Sequence, residues 1–395
     1  MEDRRARFRR QMAQLEGAGS PEAAIEAGFY VPRPTSSERM VRRIELEPRA
    51  IRVLTGPVGS GKSTELLMIA RGLAEVGDLW PLVVDVSQVH DLESLQEGSL
   101  VAAAAVWMLE QHGQDGAVLR QLRKRVHGTT LGSLSRALRL SYGSEVVREE
   151  DASESLSDLL QPPGAGRDLA SQVSGELYEA VREITPRTPV LLFDSLDRLH
   201  DAAHFRTVLV KDAVALTQHG FGVVLTAPVD TVWLHAHDLR STARSWDTLP
   251  YEDPAKNPEA FEFLLEILRR RVLDGMIPNE VIDRLVRMSG GVLRDMIELA
   301  RNAVEEAYLG GRDAVGDEDV SASIARFARG LSLGLDDAAL AMLRLVHETG
   351  RLERFDEAVL RLLKNRQIIE HYAADSYFEV HPVLQPAVER WAAAS

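Results

Sequence analysis

The sequence predicts an α/β fold: a parallel sheet flanked by helices, followed by an all-helical segment and a small mixed terminus. Three observations predict it. Short apolar runs at 51–55, 82–86, 189–193 and 222–226 read as strands buried on both faces. Helical periodicity separates them, as parallel neighbours require. Beyond Pro254 the strand signal vanishes, returning only near the end of the chain.

Taken in order, residues 1–44 form an N-terminal arm and a segment leading to the first strand. Its first twenty residues carry Arg4, Arg5, Arg7, Arg9 and Arg10 before Gly17-Ala18-Gly19-Ser20. This stretch reads as a solvated or frayed helical arm, or as a basic arm for nucleic acid or an acidic partner. Residues 45–250 form the sheet core, with a helical insertion at about 92–175. Within it, Tyr142 to Arg167 breaks into Gly, Ser, Pro and acidic residues and reads as a loop. Helices are expected at 63–75, 168–184 and about 204–218. Residues 251–330 carry four more, at 258–273, 278–288, 291–309 and 317–328. Residues 331–395 read as helix 336–348, helix 355–365 and a hairpin turning at Ala373–Ser376.

Composition limits the chemistry. The chain has 395 residues, is 45% hydrophobic and 27% charged, and contains no cysteine. Disulfides, thiolate catalysis and cysteine metal sites are therefore excluded. No apolar run is long enough for a membrane span, and the Arg-rich start lacks the apolar stretch of a signal peptide, so a cytoplasmic location is expected. The net charge of −14 argues against a surface wholly devoted to nucleic acid, though not against a local basic patch. Only five of the 46 basic residues are lysine, a bias that points to a GC-rich bacterial genome.

Between the strand 51–55 and the helix 63–75 lies Gly56-Pro57-Val58-Gly59-Ser60-Gly61-Lys62-Ser63-Thr64, a complete GxxxxGK[ST] phosphate-binding loop. Its glycines let backbone N–H groups turn onto a polyphosphate at the helix N-terminus. Lys62 is expected on the β- and γ-phosphates and Ser63 on Mg²⁺. The pattern implies a nucleoside triphosphate, ATP or GTP, as ligand.

Such a loop needs a carboxylate at the end of a neighbouring strand. Leu191-Leu192-Phe193-Asp194 supplies Asp194 as the expected Mg²⁺ carboxylate, the alternative being a helix cap. Residue 195 is a serine, so Asp197 is the candidate for orienting the attacking water, with capping or pairing to Arg198 as its other reading. Hydrolysis is expected to be slow. Tyr30, in Tyr30-Val31-Pro32, stacks on an adenine or packs within the protein.

The Asp-x-x-Asp arrangement resembles the second motif of the NACHT and KAP groups of signalling (STAND) P-loop NTPases. Further motifs resemble the origin-recognition and helicase-loader clade of AAA+ ATPases: Trp246-Asp247-Thr248-Leu249-Pro250-Tyr251, then Phe263 to Arg271, Ser289-Gly290-Gly291-Val292-Leu293-Arg294-Asp295-Met296, and Val315 to Val320. The resemblance implies an ATPase with a P-loop NTPase core, an AAA+-type helical lid at 251–330 and a C-terminal winged helix. It makes Arg294 a sensor arginine reaching the γ-phosphate, the alternative being a solvated helix residue. The sequence departs from the clade in its insertion at about 92–175 and in Thr226, which stands at the sensor 1 position where the clade often has Asn. An arginine finger would be Arg240 or Arg244.

Residues 336–395 carry seven basic and ten acidic residues, a net of −3, which favours protein contact over strong DNA binding. Arg361, Lys364 and Arg366 still allow a local patch. The expected activity is that of a Mg-dependent ATPase cycling between ATP and ADP, a switch that forms a homo-oligomer or a hetero-complex with a separately encoded effector. A DNA-associated initiator or loader is the alternative.

Overall fold

The computed structural model describes residues 3–16, 21–33, 37–89, 92, 95, 98–112, 169–199, 205, 209–228, 231, 241–372 and 376–394. The expected loop Tyr142–Arg167, Arg240, the hairpin turn residues 373–375 and most of the expected insertion lie outside these. Two compact units are present. One comprises Thr35–Thr55 and Glu65–Thr248; the other comprises Met1–Pro34, Gly56–Thr64 and Leu249–Ser395.

The N-terminal residues form helices α1 (Arg4–Glu16) and α2 (Pro21–Glu26). The first is not a frayed arm. Phe8, Gln11 and Leu15 are buried, and the Gln11 side chain donates to Arg271 O at 2.8 Å and accepts from Leu273 N at 2.7 Å. Arg4 stacks on the rings of Phe8 and Tyr308 and donates to Tyr308 O and Arg312 O. These are tertiary partners, invisible in a local reading of an arginine-rich segment.

Helix α3 (Ser37–Leu46) precedes strand β1 (Ile51–Thr55) and helix α4 (Lys62–Glu75). Strand β2 (Leu79–Asp85), helix α5 (Ser99–His112), helix α6 (Leu169–Ile184) and strand β3 (Thr188–Asp194) follow. A π-turn at Leu209–Ala213 runs into helix α7 (Val214–Gln218), then come strands β4 (Gly222–Ala227) and β5 (Ser245–Thr248). The five strands are parallel in the order β2-β3-β4-β1-β5. Val53, Leu191, Leu192, Phe193, Val223 and Leu225 are fully buried, so helices cover both faces, as the near-continuous apolar runs predict. Asp212, itself fully buried, accepts from Gly98 N at 2.7 Å and Leu100 N at 2.8 Å and so caps the start of α5.

The other unit continues with α8 (Pro258–Arg269), α9 (Asn279–Met288), α10 (Leu293–Leu309) and α11 (Asp317–Leu331). Asn257 caps α8 by accepting from Glu259 N and Ala260 N, with Pro258 in the first turn. Last come α12 (Asp337–Thr349), α13 (Glu357–Lys364), the antiparallel hairpin β6 (Ile368–Tyr372) and β7 (Ser376–Val380), and α14 (Gln385–Ala394). This is the helix–helix–hairpin order expected of a winged helix, closed by a third helix. Asp336 and Asp356 cap the first two helices.

Candidate functional site

All five strands being parallel, their carboxyl ends share one edge of the sheet. The chain leaves β1 at that edge directly into Gly56–Thr64, and β3 ends there in Asp194. Open parallel sheets bind ligands at this edge.

Gly56, Gly59 and Gly61 all have positive φ, which forms the tight concave turn the loop motif demands. Lys62 is buried, and its ammonium donates to Gly56 O at 2.7 Å and Pro57 O at 2.8 Å. Two loop carbonyls thus hold the cation at the mouth of the turn. Three further groups brace the loop. Arg33 donates to Ser60 O at 2.5 Å and to Pro250 O and Glu252 Oε1 at 3.2 Å each. Tyr251 Oη donates to Val58 O. Burial, with the charge of Asp295 adding to it, pushes the Tyr251 phenol's pKa up, so it stays a neutral donor.

The third brace is the Ser289–Met296 turn. A Cβ on Gly59 would lie 3.1 Å from Arg294 Cβ and 3.4 Å from Val292 Cγ1. Arg294 therefore begins α10 with its backbone against the loop, and its side chain is exposed. Gly291, at φ +81°, lies so close to Glu252 that a Cβ would fall 1.6 Å from the Glu252 carbonyl oxygen. Tyr30 is half-buried and its carbonyl accepts from Arg270 at 2.5 Å.

At the ends of β2, β3 and β4 the polar groups form one network. Asp194 Oδ1 accepts from Ser195 N at 2.7 Å, and Ser195 sits at φ +71°, a left-handed conformation rare outside glycine. Asp197 follows on the turn Leu196–Arg198, half-buried. Thr226 is fully buried: its hydroxyl accepts from Leu196 N at 3.1 Å and donates to Phe193 O at 3.3 Å. It fastens the segment carrying Asp194 to β4, a use that only the tertiary structure reveals. Asp85, paired in register with Asp194, accepts from Ser87 Oγ at 2.7 Å and Ser87 N at 3.0 Å. Burial raises its pKa, but hydrogen bonds from Ser87, Ser195 and Gln88 outweigh this and hold the carboxyl below its usual range.

Sequence reasoning assigned no role to Asp85, Arg33 or Tyr251. Asp85 is the one charged residue within the run expected at 82–86, and that was the available signal; Arg33 gave none. Of the two arginine-finger candidates, Arg244 precedes β5 and pairs with Glu47 Oε2 at 2.9 Å. Among the cations proposed for a terminal patch, Arg366 is bound to Asp295 at 2.9 Å and Arg361 lies 3.9 Å from Glu357.

No family model matches the chain, and no curated protein matches it. Among solved structures, it is similar to the Aeropyrum pernix ORC2 protein in its ADPNP–ADP complexes, with 15% identity and a TM-score of 0.47 over 93% of this chain and 97% of that one. The Aeropyrum pernix ORC1 protein in complex with DNA gives 14% and 0.45, covering 91% and 93%. The Thermotoga maritima RuvB Holliday junction branch migration motor gives 13% and 0.43, covering 91% and 95%. At these scores the likeness assigns neither family, ligand nor activity to this chain.

Proposed function

We propose that the protein is a Mg-dependent ATPase whose phosphate loop, Gly56–Thr64, binds ATP and whose hydrolysis to ADP is slow. The observation that carries this is the loop itself: three positive-φ glycines and a buried Lys62 ammonium between a strand of a parallel sheet and a helix N-terminus. An incoming polyphosphate would replace the Gly56 and Pro57 carbonyls as the partner of Lys62. Ser63 and Asp194 are the residues that would ligate Mg²⁺, which would supply positive charge to stabilise the phosphates. Asp197 orients water, while Ser195 occupies the position next to the metal carboxylate and cannot act as a base. This supports slow turnover.

The same reading makes the protein a switch. Arg294 begins a helix packed on the loop, so its side chain can reach a γ-phosphate that ADP lacks, giving the two nucleotides different affinities for one arrangement. The output is assembly, either of copies of this chain or with a separately encoded effector, rather than DNA binding. The net charge of −14 and the engagement of Arg366 by Asp295 support that choice. The second reading, a DNA-associated initiator or loader, is favoured by the hairpin-bearing terminal domain. Light scattering of the full chain in ADP, ATP and a non-hydrolysable analogue, with and without duplex DNA, separates them. A nucleotide-dependent mass change without DNA supports the switch. Salt-sensitive DNA binding with no such change supports the loader.

A further inference from the structure

Two chains of contact run from the phosphate loop to the terminal hairpin. The first passes through Tyr251. Its phenol donates to Val58 O, while its own carbonyl lies 3.3 Å from His371 Nδ1 and its backbone pairs with His371 in an isolated bridge. Tyr251 also forms a buried apolar cluster with Val292 and with Ile369 of β6, and Val292 is one of the residues against Gly59.

The second passes through Asp295, the neighbour of Arg294 on the first turn of α10. Asp295 is fully buried and its Oδ2 accepts from Arg366 Nε at 2.9 Å. His381 Nε2 lies 3.3 Å from the same oxygen, and His381 Nδ1 accepts from Val383 N. Gly290 completes the contact: a Cβ there would meet Ile369 Cδ1 at 2.4 Å and Pro382 Cδ at 2.8 Å. Asp295 thus ties the first turn of α10 to Arg366, and loss of that bond would leave a buried carboxylate without its cationic donor.

We propose that Tyr251 and Asp295 are positioning residues that fasten Val58–Gly59 and Arg294 to the terminal hairpin, so that discrimination between ATP and ADP depends on how the terminal domain is docked. This rests on the phosphate-loop reading above and adds the domain that reads the nucleotide. The nearby group Asp253, His371 and Glu379 belongs to the same docking surface. Lys256 bonds Glu379 and lies 3.9 Å from Asp253, and Tyr377 Oη donates to Asp253, so protein groups already satisfy these carboxylates.

The test uses the full chain and two variants. Arg366→Asn removes the cation and suits the left-handed backbone at φ +61°. Tyr251→Phe removes one oxygen. Hydrogen exchange of residues 56–62 is measured without nucleotide, and ATP and ADP affinities are then titrated. Both variants should speed exchange in the loop by roughly threefold to tenfold, the worth of one lost hydrogen bond. Both should also change the ATP-to-ADP affinity ratio by a similar factor, and Arg366→Lys should restore much of each. Faster exchange in residues 368–380 of Arg366→Asn with an unchanged loop would overturn the proposal, as would an unchanged loop in Tyr251→Phe. If the wild type binds neither nucleotide, the proposed function fails, while the exchange experiment still decides whether loop and hairpin are linked.

Discussion

Thr226 separates two accounts of the end of β4. A hydroxyl that senses nucleotide would face the ligand; in the structure it is fully buried and bonded to Leu196 N and Phe193 O. Thr226→Val keeps the shape and removes both bonds. Each contributes about 1 kcal/mol net, and a buried Leu196 N–H left without an acceptor costs roughly 1–3 kcal/mol. The expected loss is about 2–4 kcal/mol, or roughly 4–16 °C in Tm for a unit of this size. Thr226→Ser keeps the hydroxyl and loses one methyl, about 1 kcal/mol. Thermal melts followed by near-UV circular dichroism should therefore rank wild type above Ser and Ser above Val. Nucleotide titrations should show ATP and ADP affinities changing together in Thr226→Val, while turnover falls because Asp194 and Asp197 lose their anchor. A valine variant as stable as the serine one, or one that loses ATP affinity alone, would refute the reasoning.

Other substitutions report on other parts of the structure. Gly291→Ala forces a Cβ into the Glu252 carbonyl at φ +81° and should cost at least about 3 kcal/mol, read from denaturant unfolding; a loss under 1 kcal/mol would mean that the close approach is absent. Gln11→Leu leaves two backbone groups near Arg271 unpaired, so α1 should be cleaved faster by limited proteolysis than in the wild type; equal cleavage there would contradict this. Docking of the hairpin should weaken in acid. Burial lowers the His371 pKa below 6.5 in the presence of Asp253, Glu379 and Lys256, so that as pH falls below 6.5 the unfolded chain gains a proton that the folded one refuses. For Asp253, hydrogen bonds from Tyr377, Ala255 and Lys256 outweigh the upward push of burial, so it too contributes stability that is lost at still lower pH. Hydrogen exchange across residues 368–380 should be faster at pH 5.5 than at pH 7.5; slower exchange at pH 5.5 would contradict this.

The parts legible in the sequence are those set by local rules. The phosphate loop could be read because a tight turn over phosphate needs glycine at fixed spacing, and the sheet because strands covered on both faces are continuously apolar. The limits of β2 were not. The run is read over 82–86, yet the strand spans Leu79–Asp85 and tolerates Pro81 because β2 is the sheet edge. The helix read over 258–273 stops at Arg269, where Leu273 N turns to the side chain of Gln11, 262 positions away. The same distance effect hid the working partners of the site. Asp295 and Arg366 are 71 positions apart, and Thr226 lies 30 from Leu196. No spacing rule joins such pairs; only the folded chain does.

The central claim is that Gly56–Thr64 holds a nucleoside triphosphate through Lys62. Calorimetric titration of Mg·ATP into the wild type and into Lys62→Ala tests it directly. The account predicts saturable binding to the wild type and a loss of at least about tenfold in affinity in the variant, the worth of a charge-assisted contact, with an unchanged circular dichroism spectrum. Equal affinity in the two proteins, or no binding by the wild type, would contradict it.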